Sequence, residues 1–244
     1  MSKMISESPY PNHTSGILLS RKTRNLLNQT SAILSNLKDL DIQVILRNEI
    51  VTFLFDVNAI KLGNFTLSSG NQSSFYIDLR VLQSYPLYFR KTISLLKMLI
   101  LSRIGLNEFD YICSIPTSGT IFGSSLSYEL FKPHIYVRKD PKGYGTQKKI
   151  EGDLIHGSRV LFIEDVVTTG NSLLSAVKTI ADYTTNNRAV IIIDREQGAR
   201  VKFKEHNIPV DSAISIDQAI EILRENKRIS YDDYRLIKQE TTSI

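Results

Sequence analysis

The feature that most constrains the fold is an alternation of short apolar runs with longer stretches of helical periodicity. Apolar runs of strand length occur in YICSI, HIYVR, VLFIE, AVIIID and DSAIS, and helical patterns separate several of them. Short apolar strands that alternate with helices typically form a parallel sheet that is covered by helices on both faces. We therefore predict an α/β fold with a mostly parallel sheet flanked by helices. In such sheets, ligands bind at the carboxyl ends of the strands.

The rest of the chain predicts a tail, an N-terminal region and a main domain. Residues 1–28 are polar, without a clear period, and predict a mobile tail. Residues 29–80 predict N-terminal helices, in AILSNLKDL and IQVILRNEIVTFLFDVNAI, followed by a turn-rich and then extended segment that ends in the strand-like FYIDLR. Residues 81–244 predict the main domain with C-terminal helices.

Several local signals predict where helices and turns lie. Gly70 and Asn71 mark a turn, and Pro86 lies near the start of a helix that runs to about Arg103. Two further helices are predicted in TIFGSSLSYEL and SLLSAVKTIADY. Ser215 and Gln218 have the spacing of a capping box before the final helical region.

Composition and charge exclude several classes of protein. A single cysteine excludes a disulfide framework and a cysteine-based zinc site, and the histidines lack metal-site spacing. The net charge of +5 is compatible with an anionic partner, but no long basic stripe with aromatic residues indicates nucleic-acid binding. The N-terminus has no apolar signal region, and the most apolar helical stretch, ISLLKMLILSRIG, is too short to span a bilayer. We predict a soluble, cytoplasmic protein without nucleic-acid or membrane partners.

The segment VLFIEDVVTTGNS combines a buried strand with a polar turn. We predict that Glu164 and Asp165 lie at the carboxyl end of the strand, and that Val166 to Ser172 form the loop into the next helix. Free N–H groups at a helix N-terminus bind phosphate, and hydroxyl groups add donors. The small residues of this loop predict such a cradle, which consists of Thr168, Thr169, Gly170, Asn171 and Ser172.

Two carboxylates beside a phosphate cradle suit a ligand that has both a phosphate and sugar hydroxyls, because the hydroxyls can donate hydrogen bonds to the carboxylates. A ribose 5-phosphate group has both features. The alternative interpretation is that Asp165 and Thr168 only cap a helix. The complete motif, with its apolar strand, acidic pair, glycine and hydroxyl residues, favours the ligand site.

This motif resembles the phosphoribosyl-diphosphate signature of type I phosphoribosyltransferases, which does not specify the base. Three further segments resemble the orotate phosphoribosyltransferase family. LGNFTLSSGNQSSFYIDLR is similar to its N-terminal hood, YVRKDPKGYGTQKKIEG to its mobile catalytic loop, and IIIDREQGA to the strand end that supplies an arginine to orotate. The segments follow in family order from about residue 46 to the C-terminus. The resemblance implies a type I phosphoribosyltransferase fold with a small N-terminal hood.

The resemblance also implies a set of site residues. The catalytic residues would be Lys142, Arg138 and Lys139. Phosphoribosyl diphosphate would be bound by the cationic loop and by the acidic motif, namely Arg138, Lys139, Lys142, Tyr144, Glu164, Asp165, Val166, Val167, Thr168, Thr169, Gly170, Asn171 and Ser172. The diphosphate loop would be Thr117, Ser118, Gly119 and Thr120. Orotate would be bound by Thr168, Arg195, Tyr76 and Ile77.

Alternative interpretations remain open for these residues. Orotate is a planar anion, so the fork of an arginine suits it, but Arg195 could instead be a surface residue paired with Asp194 or Glu196. Tyr76 and Ile77 could pack within a strand and not against a base. A basic loop is often only solvated surface. Two departures from the family pattern also affect the site, since Ser68 replaces a lysine and PTSGT lacks a tyrosine–lysine pair.

The implied reaction joins orotate to the ribose of phosphoribosyl diphosphate and releases diphosphate. The resemblance implies Mg2+ on the diphosphate, without a protein cage for the metal, and a homodimer with shared active sites. We expect no fused decarboxylase in this chain. Two rival functions are a purine phosphoribosyltransferase and a non-enzymatic, nucleotide-binding regulator of the same fold. The hood and the arginine of DREQG argue against the first, and the glycine-flanked cationic loop against the second.

Overall fold

The computed structural model describes residues 39–67, 70, 72–138 and 149–242. The predicted tail, most of AILSNLKDL, the turn residue Asn71 and most of the cationic loop lie outside these residues. The division of the chain at residues 28 and 80 therefore stays a prediction.

The central element is a six-stranded sheet with the strand order β5-β4-β3-β6-β7-β8. Neighbouring strands are parallel except at one edge, where β5 runs antiparallel to β4. The strands are β3 (Tyr111–Ser114), β4 (His134–Val137), β5 (Ile150–Glu151), β6 (Ser158–Val167), β7 (Thr184–Asp194) and β8 (Val210–Ser215). The predicted α/β class with a mostly parallel sheet is confirmed.

Helices cover both faces of this sheet. They are α1 (Asp39–Asp56), α2 (Pro86–Arg103), α3 (Ser118–Leu130), α4 (Asn171–Ile180), α5 (Ala199–Glu205), α6 (Ile216–Glu225) and α7 (Tyr231–Thr242). Because side chains alternate along a strand, Leu161 and Ile163 of β6 enter one buried cluster with α1, α2, α3, α6 and α7. Val160 and Phe162 enter the cluster on the other face with α4 and α5. The core strands are therefore buried on both sides.

The hood is a two-stranded antiparallel sheet formed by β1 (Ile60–Thr66) and β2 (Gln72–Ile77). Its predicted strand FYIDLR is wrong in its last three residues, because β2 ends at Ile77. The Asp78 side chain accepts a hydrogen bond from the backbone N–H of Arg80 and caps a short 3-10 helix, Leu79–Ser84. This cap ends the strand and leads the chain into α2, which begins at Pro86 as predicted.

The acidic motif differs from its predicted layout. We expected Val166 to begin a loop, but β6 continues through the acidic pair to Val167, and α4 already begins at Asn171. The physical reason is the length of β7, which pairs with Val166 and Val167 through Ile193 and Asp194. The connecting loop is therefore only Thr168 to Gly170.

Other boundaries agree within a few residues. α3 begins at Ser118, two residues before TIFGSSLSYEL, and the capping box of Ser215 and Gln218 is confirmed. The short strand β5 and helix α5 were not predicted from the sequence. Within the described ranges, no helix is both long enough and apolar enough to cross a bilayer.

Candidate active site

The acidic pair lies at the carboxyl end of the central strand β6. Glu164 is 8% exposed, and burial together with the neighbouring Asp165 raises its pKa to about 8. Burial also raises the pKa of Asp165, although the positive charge of Arg80 acts in the opposite direction. Burying a carboxyl group without a partner favours its neutral form. Glu164 therefore lies in a water-poor position where a ligand with hydrogen-bond donors favours its ionised form, and the half-buried Asp165 lies beside it.

The turn after β6, which is the predicted phosphate cradle, leads directly into the N-terminus of α4. Gly170 precedes α4 with φ of 75° and ψ of 5°, in the left-handed region. A Cβ atom at this position would lie 2.6 Å from ring atoms of Phe203 in α5. The first N–H groups of a helix have no partner within the helix and are free to bind an anion. Gly170 thus allows α4 to begin close against α5 directly after the acidic strand.

A second loop reaches the same edge of the sheet from β3. The Ser118 hydroxyl at the start of α3 acts to lower the pKa of Asp165, so the two residues lie side by side. Its oxygen is buried and has no hydrogen bond of good geometry among the described residues. A Cβ atom on Gly119 would lie 2.8 Å from the carbonyl oxygen of Ile163. This glycine therefore permits close contact between α3 and β6, which brings the Ser118 hydroxyl to the acidic pair.

Arg195 follows β7 and points into the protein. It is 2% exposed, and its guanidinium lies 4.0 Å from the centre of the Phe75 ring. Nη2 donates hydrogen bonds to the Ser73 hydroxyl at 2.7 Å and to the Phe75 carbonyl at 3.3 Å, and Nε donates to Gln197 at 2.9 Å. Burial lowers the pKa of Arg195 to about 10. These contacts hold the hood strand β2 over the end of β7.

The alternative interpretation of Arg195 as a surface ion-pair partner is wrong. The carboxylate of Asp194 instead pairs with Arg200 at 2.7 Å. The carboxylate of Glu196 accepts a hydrogen bond from the backbone N–H of Asp217 at the start of α6. Within the described part of the chain, no carboxylate forms a direct ion pair with Arg195. A buried cation without a direct countercharge is typical of a site for an anionic ligand.

Arg138 lies where the cationic loop begins. Its guanidinium forms an ion pair with Glu151 of β5 at 2.9 Å, and its backbone N–H donates to the carbonyl of Lys149 at 2.8 Å. The two ends of the loop are therefore tied together at the edge of the sheet. Lys139, Lys142 and Tyr144 lie outside the described residues, as does Ser68 of the hood.

Comparisons with known proteins identify the family. The profile of the phosphoribosyl transferase domain matches residues 82–221. The chain is 41% identical over 148 residues to an orotate phosphoribosyltransferase of Cenarchaeum symbiosum. The aligned region covers 60% of this chain and 74% of that protein. It is 36% identical over 173 residues to the orotate phosphoribosyltransferase of Methanosphaera stadtmanae, with 70% of this chain and 95% of that protein covered. The chain belongs to the orotate phosphoribosyltransferase family.

A solved structure agrees with this family and its fold. The UMP synthase of Leishmania donovani superposes with a TM-score of 0.71 and 26% identity over 81% of this chain. The match covers 42% of the UMP synthase chain, so the present chain corresponds to only part of that protein. The predicted type I phosphoribosyltransferase fold is confirmed.

Most of the described family residues lie on the edge formed by the carboxyl ends of β3, β6 and β7. This edge holds the acidic pair, the turn from Thr168 to Gly170, the start of α3 and Arg195. Asn171 and Ser172 are exposed in the first turn of α4. Thr117 is exposed, and Thr120 is half-buried in α3. Their binding roles stay predictions.

The hood residues divide between two environments. Tyr76 is half-buried and lies close enough to Arg195 to influence its pKa, next to the Phe65 ring at 5.7 Å between centroids. Ile77 is 6% exposed and belongs to the hydrophobic core. In the acidic motif, Val167 of β6 is buried in the cluster with α4 and α5, whereas Val166 is half-buried against the cluster on the other face of the sheet. Tyr76 is therefore the better placed of the two hood residues to contact a base.

Sequence reasoning missed three polar residues at this site. Arg80 pairs with Asp78 at 2.7 Å and lies within electrostatic range of Asp165. Lys202 of α5 donates to the side chain of Asn171 at 3.0 Å, next to the phosphate cradle. Glu240 of α7 accepts hydrogen bonds from the hood. Arg80 belongs to the hood segment that resembles the family, but no local signal marks Lys202 or Glu240.

Proposed function

We propose that the chain transfers the phosphoribosyl group of phosphoribosyl diphosphate to orotate, giving orotidine 5'-phosphate and diphosphate in pyrimidine biosynthesis. The observation that carries the base assignment is the buried Arg195, which has no direct carboxylate partner in the described part of the chain. An anionic, planar base supplies the missing charge and fits the flat face and fork of a guanidinium. The names of the family relatives give orotate as the base.

The acidic pair and the cradle support a role in holding the sugar phosphate. Glu164 and Asp165 can accept hydrogen bonds from the ribose hydroxyls, and the start of α4 with Thr168 and Thr169 can donate to the phosphate. The raised pKa of Glu164 means that its carboxyl group is largely neutral at pH 7 before a ligand binds. Hydrogen bonds from hydroxyl groups favour the ionised form. The negative charge then lies next to the ribose, where positive charge develops as diphosphate leaves.

Catalysis in this proposal needs no covalent nucleophile. The single cysteine, Cys113, is buried, and burial raises the pKa of its thiol. The protein instead holds base and sugar in line and stabilises the charge that grows on the leaving diphosphate. We assign that stabilisation to the cations of the loop, Lys142 with Arg138 and Lys139, and to donors of the diphosphate loop such as Ser118. The buried Ser118 hydroxyl, which has no hydrogen bond of good geometry among the described residues, supports the second assignment.

Magnesium dependence and a homodimer also belong to this proposal. Bound to the diphosphate, Mg2+ supplies charge neutralisation on the leaving group. The residues present fit such an ion, because the Asp165 carboxylate and the Ser118 hydroxyl lie side by side and would offer it oxygen atoms, while phosphate and water would supply the rest. In the proposed dimer, the loop from Lys139 to Lys148 of each protomer completes the partner's site. We also propose the cytoplasm as its location, as the sequence predicts.

A kinetic assay with a panel of bases tests the proposed function. The protein is mixed with phosphoribosyl diphosphate and orotate, with and without Mg2+, and the fall in orotate absorbance is followed. We expect turnover with orotate that requires Mg2+. Turnover with adenine or hypoxanthine but not with orotate would instead identify a purine enzyme. Binding of phosphoribosyl diphosphate without turnover of any base would identify a regulator.

A further inference from the structure

Arg195 and three other side chains form a closed ring of hydrogen bonds. Arg195 donates from Nη2 to the Ser73 hydroxyl at 2.7 Å, and this hydroxyl donates to Oε1 of Glu240 at 2.6 Å. Gln197 donates from Nε2 to the same Oε1 at 2.7 Å, and its Oε1 accepts from Nε of Arg195 at 2.9 Å. The ring joins the hood strand β2, the segment after β7 and the C-terminal helix α7. These three parts of the chain are far apart in sequence.

Only a carboxylate can accept all of the hydrogen bonds that the residue at position 240 receives. Oε1 of Glu240 accepts from Ser73 and Gln197, and Oε2 accepts from the backbone N–H of Ser74 at 2.8 Å and from its hydroxyl at 2.6 Å. All four partners act as donors, whereas an amide at this position would present a donor on one side. Burial opposes ionisation of Glu240, but hydrogen bonds from Ser73 and Ser74 and the charge of Arg195 lower its pKa overall. Glu240 is therefore ionised near neutral pH.

The ring fixes the guanidinium of Arg195 without occupying all of it. Nε and Nη2 are held by Gln197 and Ser73, and the central carbon of the guanidinium lies over the Phe75 ring. Among the described residues, Nη1 has no hydrogen-bond partner. Glu240 acts on Arg195 through Ser73 and Gln197, so it supports the positive charge without forming the direct ion pair that would compete with an anionic ligand.

We propose that Glu240 is a positioning residue that sets the orientation of Arg195 for recognition of the base. This inference rests on the proposed function, because it takes Arg195 as the residue that binds orotate. Glu240 itself does not contact the base. Its loss leaves Arg195 chemically intact but free to turn away from the binding orientation, and a small misplacement of a binding group has large kinetic effects. The C-terminal helix thus contributes to base affinity and not only to packing.

Contacts elsewhere on α7 separate this role from simple docking of the helix. Lys238 forms an ion pair with Asp217 of α6 at 2.5 Å, and the Tyr234 hydroxyl donates to Glu221 of α6 at 2.5 Å. Ile237 is 1% exposed and belongs to the core. The helix is therefore attached to α6 and to the core independently of Glu240. A variant at Lys238 weakens the same helix without touching the ring.

The test compares Glu240→Gln with Lys238→Ala in the full chain. For Glu240→Gln we expect the KM for orotate to rise by roughly ten- to a hundredfold, while the KM for phosphoribosyl diphosphate stays within about twofold. For Lys238→Ala we expect a lower melting temperature with both KM values within about twofold of the parent. Far-UV circular dichroism and thermal melting establish that both variants fold.

Two outcomes overturn the inference. An orotate KM that stays within about twofold of the parent in Glu240→Gln refutes positioning. Equal increases in both KM values, in both variants, assign Glu240 a purely structural role. Arg195→Met separates this failure from failure of the proposed function. If Arg195→Met raises the orotate KM and Glu240→Gln does not, only the positioning role fails. If neither variant affects the orotate KM, the assignment of Arg195 to the base fails as well.

Discussion

Replacing Glu164 by glutamine should stabilise the protein at alkaline pH. Burial, with a contribution from Asp165, raises the pKa of Glu164 from 4.5 to about 8. Between these two values the folded protein keeps a proton that the unfolded chain releases, so the free energy of unfolding falls as the pH rises. Each pKa unit corresponds to about 1.4 kcal/mol, so the loss is about 1 kcal/mol at about pH 5 and about 5 kcal/mol well above pH 8. A glutamine is neutral throughout and does not carry this penalty.

The measurement is urea unfolding of the parent and Glu164→Gln at about pH 5 and about pH 8.5, at equal ionic strength. We expect the two proteins to have similar free energies of unfolding at the lower pH. At the higher pH, the variant should be more stable by about 4 kcal/mol. Glu129→Gln is the control. Glu129 lies at the surface, and its pairing with Lys97 at 2.8 Å lowers its pKa, so its contribution is present at neutral pH and lost on acidification. The free energy of unfolding of Glu129→Gln should be lower than that of the parent by at most a few tenths of a kcal/mol at about pH 8.5.

Two results would refute the reasoning. Glu164→Gln could raise the free energy of unfolding equally at both pH values, or it could leave the free energy of unfolding unchanged at the higher pH. In the first case the effect comes from packing and not from ionisation. In the second case Glu164 already has a partner that keeps it charged in the folded protein. Turnover should fall in this variant in either case, because the proposed function needs an ionised carboxylate beside the ribose. A gain in stability with a loss of activity is the pattern expected of a functional residue in an unfavourable environment.

Two further predictions concern the phosphate cradle and the loop. Gly170→Ala should cost about 2 to 4 kcal/mol in urea unfolding, because it combines an unfavourable φ with a contact on the Phe203 ring. Gly157→Ala is its control, since Gly157 has φ of 84° but open space around the new Cβ. Equal losses of stability in the two variants would contradict the contact argument. Lys142→Ala should reduce kcat more than either KM, because the proposed function assigns this loop cation to the leaving group. An unchanged kcat in steady-state assays would remove Lys142 from that role.

Local sequence patterns were sufficient to find five of the six strands of the main sheet, most helices and the acidic pair near a strand end. β3, β4 and β8 are short apolar runs between turn signals, and the capping box at Ser215 is a local interaction over three residues. The position of the acidic pair at a strand end follows from the same locality, since an apolar run that meets two carboxylates reaches the edge of the core. These features depend on neighbours in the sequence, so the sequence contains them directly.

Features that depend on pairing between distant segments were not predictable in this way. β6 continues past Asp165 only because β7 is long enough to pair with Val167. The two residues of β5 form a strand only because β4 provides an edge for them. Arg195 looked like a possible surface residue because acidic neighbours flank it in sequence. Its burial depends on Ser73 and Gln197, and on the left-handed turn at Glu196 with φ of 55°.

The acidic pair and Arg195 have opposite charges but share one physical property. Burial shifts the pKa of Glu164 upward and that of Arg195 downward, so in both cases the protein environment disfavours the charged form. A ligand that brings hydroxyl donors to Glu164 and negative charge to Arg195 reverses both shifts at once. In the proposed function, the cost of burying these two charged groups is therefore offset only by substrates with this distribution of groups. A neutral base in place of orotate would leave Arg195 without a countercharge, and the same burial that favours the anion would then weaken binding.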